Sequence, residues 1–134
     1  MMLENDVLFA LLNKKDPNHE VARALFEKIM RREIEVEVSS AALLEMELIY
    51  KSRGREDQLE RDVSAIAVIP GLRFLPANPE TVLTAVRLRR KFGLGFFDSH
   101  HAATALLTDG KILSFDEAYE EVEGIERVDP GSLY

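Results

Sequence analysis

The sequence predicts an α/β fold: a parallel sheet covered by helices on both faces, in a single domain spanning residues 1–134. Two observations carry this expectation. Short β-prone runs alternate with helical ones along the chain, and that alternation forces parallel strands joined by helical crossovers. The 134 residues, 46% hydrophobic and 31% charged, are enough to close one core and have the composition of a globular protein.

The elements follow in order. Met1-Met2-Leu3-Glu4 is a short apolar start, read as a buried strand. Val7 to Leu12 is apolar nearly all round, as a core helix is. Asp16-Pro17-Asn18 marks a turn and a helix start. His19 to Arg31 reads as an amphipathic helix with Val21, Ala24, Leu25, Lys28 and Ile29 along one side. Ile34 to Val38 alternates in polarity and is a strand. Ser39-Ser40 caps a helix from Ala41 to Lys51, which Ser52-Arg53-Gly54 breaks. Glu56 to Val68 is a further helix, ended by Pro70-Gly71, and Leu72 to Leu75 a short strand. Pro79 to Phe92 and Phe96 to Thr108 are helices stopped by Gly93 and by Asp109-Gly110. Lys111 to Phe115 is a strand, Asp116 opens a short helix to about Val122, and Glu126-Arg127-Val128 is a last edge strand.

Composition excludes several classes. The chain has no cysteine, so disulfides and thiolate metal sites are out. His19 stands alone. His100 and His101 are adjacent, diverge by about 100° on a helix and are read as packing or surface residues rather than joint ligands of one ion. No apolar run reaches the ~20 residues of a membrane span and no charged-then-apolar leader opens the sequence, so the expectation is a cytoplasmic protein without a membrane partner. The net charge of −7 argues against non-specific coating of nucleic acid, while a local basic strip with a bound cation remains able to hold a phosphate.

In open parallel sheets ligands bind beyond the carboxyl ends of the strands. Four acids fall there or at helix starts: Asp6 with Glu4 beside it, Glu45, Asp98 and Asp116. Asp6, Asp98 and Asp116 each have an alternative reading as a helix cap. Glu45 is different, because Ala41, Ala42, Leu48 and Ile49 surround it on the helical wheel while Glu47 projects toward Lys51. A carboxylate on an apolar face needs a cation, a hydrogen-bond partner or a raised pKa. Acids that converge from distant stretches repel one another, and a divalent cation resolves the repulsion. Arg87, Arg89, Arg90 and Lys91 are either cations favoured at a helix C-terminus or a phosphate-tracking strip. Lys51, Arg53 and Arg55 are a weaker candidate for the same role. Phe96 and Phe97 are read as core aromatics.

With these residues in view, the chain resembles the PIN-domain ribonucleases, including the VapC-type toxins of toxin–antitoxin pairs, nearly end to end. Phe97-Asp98-Ser99-His100-His101-Ala102-Ala103 looks like the family's Asp–x–x–x–Ala–Ala helix. Ser114-Phe115-Asp116 looks like its Ser/Thr–x–Asp after a late strand, and Leu44-Glu45 like its second acid. Asp16-Pro17-Asn18-His19-Glu20 resembles its early helix-starting turn. The N-terminus departs from the family's Asp–Thr/Ser–Asn. Here Glu4 takes the Asp position and Asp6 the Asn position, and Asp6 is favoured as the ligand with Glu4 as the substitute. The resemblance implies an α/β/α sandwich and an endoribonuclease that uses Mg²⁺ or Mn²⁺ for in-line hydrolysis of single-stranded RNA. Asp6, Glu45, Asp98 and Asp116 would hold the metal and carry catalysis. Glu4 and Ser114 would be accessory, and Arg89, Arg90 and Lys91 would bind RNA. It further implies an antitoxin protein as partner and a homodimer. The alternative is a PIN-like module that binds RNA or a protein without cleaving. A receiver-type phosphotransfer protein needs a lysine after its late strand, and this chain places Asp116 there.

Overall fold

The structure is a computed structural model that describes residues 1–133. It contains five strands, β1 (Met2–Leu3), β2 (Val36–Ser39), β3 (Leu72–Leu75), β4 (Lys111–Leu113) and β5 (Glu126–Val128). The six α-helices are α1 (Asn5–Leu12), α2 (His19–Met30), α3 (Ser40–Ser52), α4 (Glu56–Ala67), α5 (Pro79–Phe92) and α6 (Phe96–Leu106). Two 3₁₀ turns, Glu117–Glu121 and Pro130–Leu133, complete the described chain.

All pairings are parallel and the strand order is β3-β2-β1-β4-β5. The chain builds outward from β1 through β2 to β3, then crosses back to place β4 on the other side of β1. The direction of winding therefore reverses between β1 and β4, which pair with Met2 opposite Ile112 and Leu3 opposite Leu113. Crossovers that leave a sheet in opposite directions open a crevice at its carboxyl edge, the usual ligand position in such folds.

Strand alternation divides the core between the two faces. Leu3 and Leu113 join one apolar cluster with Val7, Leu8, Leu25, Phe26, Ile29, Val38, Met46 and Ile66. Their neighbours Met2 and Ile112 join the opposite cluster with Ala85, Leu88, Ala102, Ala103, Ala105, Tyr119 and Val122. The helices thus lie on both sides of one sheet, a three-layer α/β/α sandwich. In the second cluster three alanines of α6, each with no exposed surface, pack that helix against the strands.

Helix boundaries follow local chemistry. Asn78 and Thr81 form a reciprocal capping box at the start of α5, with Pro79 in the first turn. Gly93 ends α5 in a left-handed conformation (φ 70°), its N–H donating to the Arg89 carbonyl. Gly71 (φ 83°) leads into β3 where a Cβ would stand 2.5 Å from the Ile29 carbonyl oxygen, so no larger residue fits.

Several boundaries differ from expectation. α1 begins at Asn5 rather than Val7, because Glu4 leaves β1 in an extended conformation and caps the helix itself, its carboxylate accepting from the Asn5 N–H at 2.8 Å. β2 is Val36–Ser39 rather than Ile34–Val38, and β4 ends at Leu113. The helix after Asp116 is a 3₁₀ turn capped by that residue, and α6 stops two residues before Thr108. Leu48 was expected on a buried face of α3 but is 56% exposed, as is Leu44 at 59%. α3 docks through Ala41, Ala42 and Met46, which leaves Glu45 at the margin of that stripe, half-buried.

Candidate metal centre

The site lies where β1 and β4 end. Glu4 follows β1 directly and is almost wholly buried. Its Oε2 receives the Ser114 hydroxyl at 3.3 Å, one residue past β4. Asp6, in the first turn of α1, accepts from the same hydroxyl at 2.8 Å and from the Phe115 N–H at 2.8 Å. Asp6 therefore ties α1 to the loop after β4, and this explains how a carboxylate is tolerated there. Ser114 Oγ accepts in turn from the Asp116 N–H at 3.0 Å. The Ser114 carbonyl is held by Arg127 Nη1 at 3.0 Å, while the Arg127 Nε bonds Glu120 at 2.8 Å.

Glu45 reaches in from α3. Its Oε1 accepts from Asn5 Nδ2 at 2.7 Å and lies 3.3 Å from His101 Nε2. Asn5 also donates to the Ala42 carbonyl at 2.8 Å, so one buried amide both joins α1 to α3 and aims Glu45. His101, with no exposed surface, is 3.8 Å from Glu4 Oε1. One ligand atom each from Glu4, Glu45 and His101 lies within 4.8 Å of the others. Asp98, one helical turn before His101 on α6, accepts from the buried Tyr119 hydroxyl at 3.3 Å.

The electrostatics follow from the crowding. Burial first, and then the charges of Asp6, Glu45 and Asp98, together push the Glu4 carboxyl from the ordinary value near 4.5 up to about 9. Burial also raises Asp6, opposed by the bonds from Ser114, Phe115 and Glu4. Burial alone would raise Glu45 too, but hydrogen bonds from His101 and Asn5 outweigh it and the net displacement is downward. Burial, then Glu4 and Asp98, hold the Tyr119 hydroxyl far above an ordinary phenol.

The structure brings Glu4, Asp6 and Glu45 together and sets Asp98 close enough to act on Glu4. Asp116 does not join them: it is exposed, and its Oδ1 caps the following turn by accepting from the Ala118 N–H at 2.9 Å. Glu4 and Asp6 meet through the Ser114 hydroxyl. The basic strip is partly committed. Arg89 donates to Ser99 Oγ at 2.8 Å and stacks over Phe96 at 5.2 Å, and Lys91 pairs with Glu123 at 3.1 Å. Arg90 is exposed. Phe96 is 60% exposed instead of packed in the core. His19 starts α2 and bonds the Ala10 carbonyl through Nδ1 at 2.8 Å.

Sequence reasoning missed Asn5, His101 and Tyr119. His101 carried a usable signal, since it stands three residues after Asp98 and so shares its helical face. The donor set suits a divalent cation: carboxylates and one imidazole, with buried Asn5 Oδ1 and Asp6 Oδ1 lacking a hydrogen-bond partner among the described residues. A cavity of about 470 Å³ lies elsewhere, lined in part by Phe9, Tyr50, Arg53 and Asp62.

Comparison with known proteins agrees with this architecture. The family model described as PIN domain matches residues 1–125, and the chain belongs to that family. Among solved structures, VapBC2 from Rickettsia felis bound to a promoter DNA fragment superposes with a TM-score of 0.76 at 13% identity, covering 95% of this chain and 96% of that one. FitAB bound to an IR36 DNA fragment gives 0.74 at 20% identity, covering 99% and 96%. VapC20 of Mycobacterium tuberculosis, described as a sarcin–ricin loop cleaving toxin, gives 0.68 at 16%, covering 87% and 89%. No curated protein matches the chain in sequence. Among the described residues, no helix is long and apolar enough to cross a membrane.

Proposed function

We propose that the protein is a divalent-metal-dependent endoribonuclease acting on single-stranded RNA, and the toxin of a toxin–antitoxin pair. The observation that carries this reading is the convergence of Glu4, Asp6 and Glu45, with Asp98 alongside, at the crevice between β1 and β4 of a PIN domain. Glu4, Glu45 and Asp98 would hold the ion, Mg²⁺ or Mn²⁺. When bound, such an ion supplies Lewis acidity toward a phosphodiester and acidifies water.

The chain's own groups do the rest. Asp6 and Ser114 fix the loop after β4 and keep the Glu4 carboxylate in place. Asn5 aims Glu45. Tyr119 orients Asp98, and Asp116 shapes the rim by capping the turn beyond it. Arg90 and the exposed ring of Phe96 suit the approach of a phosphate backbone and a base, with Arg89 holding that ring. The neighbours solved as VapBC and FitAB assemblies support an antitoxin as partner. A cytoplasmic homodimer belongs to the same reading, supported by the unpartnered apolar side chains of Leu44 and Leu48.

The test is cleavage of a generic single-stranded RNA with Mg²⁺, with Mn²⁺ and with EDTA. Cleavage that EDTA abolishes is the expected result. Intact RNA under every ion, with binding retained, would leave a non-cleaving PIN module.

A further inference from the structure

The imidazole at the centre of the acids is the feature that an all-carboxylate ion site does not need. His101 has no exposed surface, and its Nε2 faces Glu45 Oε1 at 3.3 Å and Glu4 Oε1 at 3.8 Å. Two donors bound cis to one ion, with bonds of about 2.1 Å, stand about 3.0 Å apart. The ring therefore lies within a few tenths of an ångström of ligating distance from one acid and under 1 Å from it for the other. On its far side Nδ1 has no hydrogen-bond partner among the described residues. The tautomer is set from the acid side alone, where the hydrogen bond to Glu45 places the ring's proton on Nε2. α6 cannot withdraw the ring, because the flanking Ala102, Ala103 and Ala105 are fully buried against the sheet.

We propose that His101 is itself a ligand, closing with Glu4 and Glu45 a mixed nitrogen–oxygen centre that takes a first-row transition ion in preference to Mg²⁺. The chemistry is general: imidazole nitrogen suits transition ions, whereas Mg²⁺ is a hard cation that favours oxygen and keeps its waters. The inference rests on the reading of this cluster as an ion site. It adds the identity of a ligand and the class of ion selected.

The experiment uses the full chain and Mn²⁺ as the probe. Mn²⁺ and Mg²⁺ affinities are measured by titration, and pulsed electron paramagnetic resonance of the bound Mn²⁺ reports directly coordinated nitrogen. Wild type should show ¹⁴N coupling. His101→Leu and His101→Gln should lose it, and their preference for Mn²⁺ over Mg²⁺ should fall at least 10-fold, chiefly through weaker Mn²⁺ binding. The glutamine variant keeps a hydrogen bond to Glu45, so a merely structural histidine would be rescued by it. Bound Mn²⁺ without nitrogen coupling in wild type overturns the proposal, and that measurement needs no variant to fold. An unchanged ion preference in both variants overturns it as well. RNA cleavage in the same preparations separates the two readings. Cleavage without nitrogen coupling removes His101 and leaves the nuclease. Nitrogen-coupled Mn²⁺ without cleavage keeps the centre and removes the nuclease.

Discussion

Around the amino end of β1, Glu37 lies between the Met1 amino group at 3.0 Å and the Arg73 guanidinium, and Asp109 approaches the same amino group at 3.0 Å. Around the carboxyl end of β1, Glu4 and Glu45 converge beside a single imidazole, and Asp6 joins Glu4 through Ser114. The first group sets each carboxylate against a cation, and a pair open to solvent on one side, as Arg73–Glu37 is, is worth little and costs little. The second buries carboxylates beside carboxylates, an arrangement that weakens a fold unless something outside the chain compensates it. The contrast separates charge that decorates the fold from charge that the fold holds ready for a ligand.

The sharpest way to break this contrast is to remove charge from the crowded end. Glu4→Gln and Asp98→Asn should each lower cleavage by about 100-fold or more, beyond the ~10–100-fold typical of groups that only support a ligand. Asp6→Asn should weaken Mn²⁺ binding less than Glu4→Gln does, since the Asp6 carboxylate is already engaged by Ser114 and Phe115. Calorimetry on both variants decides it, and the reverse order would restore Asp6 as the principal ligand.

A second comparison sets two acids of α3 side by side. Glu45→Gln should lower cleavage by about 100-fold or more, as for the other groups that would hold the ion and beyond the effect of a merely supporting group. Glu47 is exposed, and Glu47→Gln should change cleavage and melting temperature little. Equal activity in the two would take Glu45 out of the site.

Acidity sharpens the contrast further. Below pH 4.5 Glu4 is protonated in the folded and unfolded chain alike, and between 4.5 and about 9 only the unfolded chain ionises. Metal-free stability should therefore fall as pH rises through that window. Glu4→Gln should flatten the profile, which melts across that range would show. A wild-type curve already flat would mean that Glu4 titrates normally. Divalent-ion binding near neutral pH should also release a proton, measurable by calorimetry in buffers of different ionisation enthalpy.

The smallest effect belongs to the other end. Arg73→Ala should cost under about 1 kcal/mol of stability, because the Arg73–Glu37 pair is solvent-exposed on the arginine side. Cleavage should be unchanged. Denaturant unfolding and the RNA assay together check it, and a large loss in either would show that the two ends are coupled.

Much of the architecture was legible because periodicity and punctuation agree. Leu72–Leu75, Pro79–Phe92 and Glu126–Val128 lie where the sequence sets them, bounded by Pro70-Gly71, by Gly93 and by a short polar run. The acids at strand ends were legible for the same reason, since each follows an apolar run. What was not legible depends on contacts across the chain. Nothing local shows that Glu4 rather than Asp6 turns inward, because that follows from Asp6 meeting a serine 108 residues away. Nor does the helical wheel show that α3 docks through its alanines and Met46, leaving Leu48 in solvent. His101 was read as packing because its neighbour is also histidine, whereas only one of the pair faces the acids.

The alanines of α6 have a consequence for how the protein can change. Alanine has no side-chain rotamers to rearrange, so this contact has no slack that a neighbouring substitution might take up. Asp98 and His101 ride on that helix, and their distance from the strand ends is set by backbone thickness alone. Adaptation to another ion or substrate is thereby directed to the identity of the groups at those two positions. A route that moves the helix would disturb both at once, and with them the Tyr119 hydroxyl that bonds Asp98.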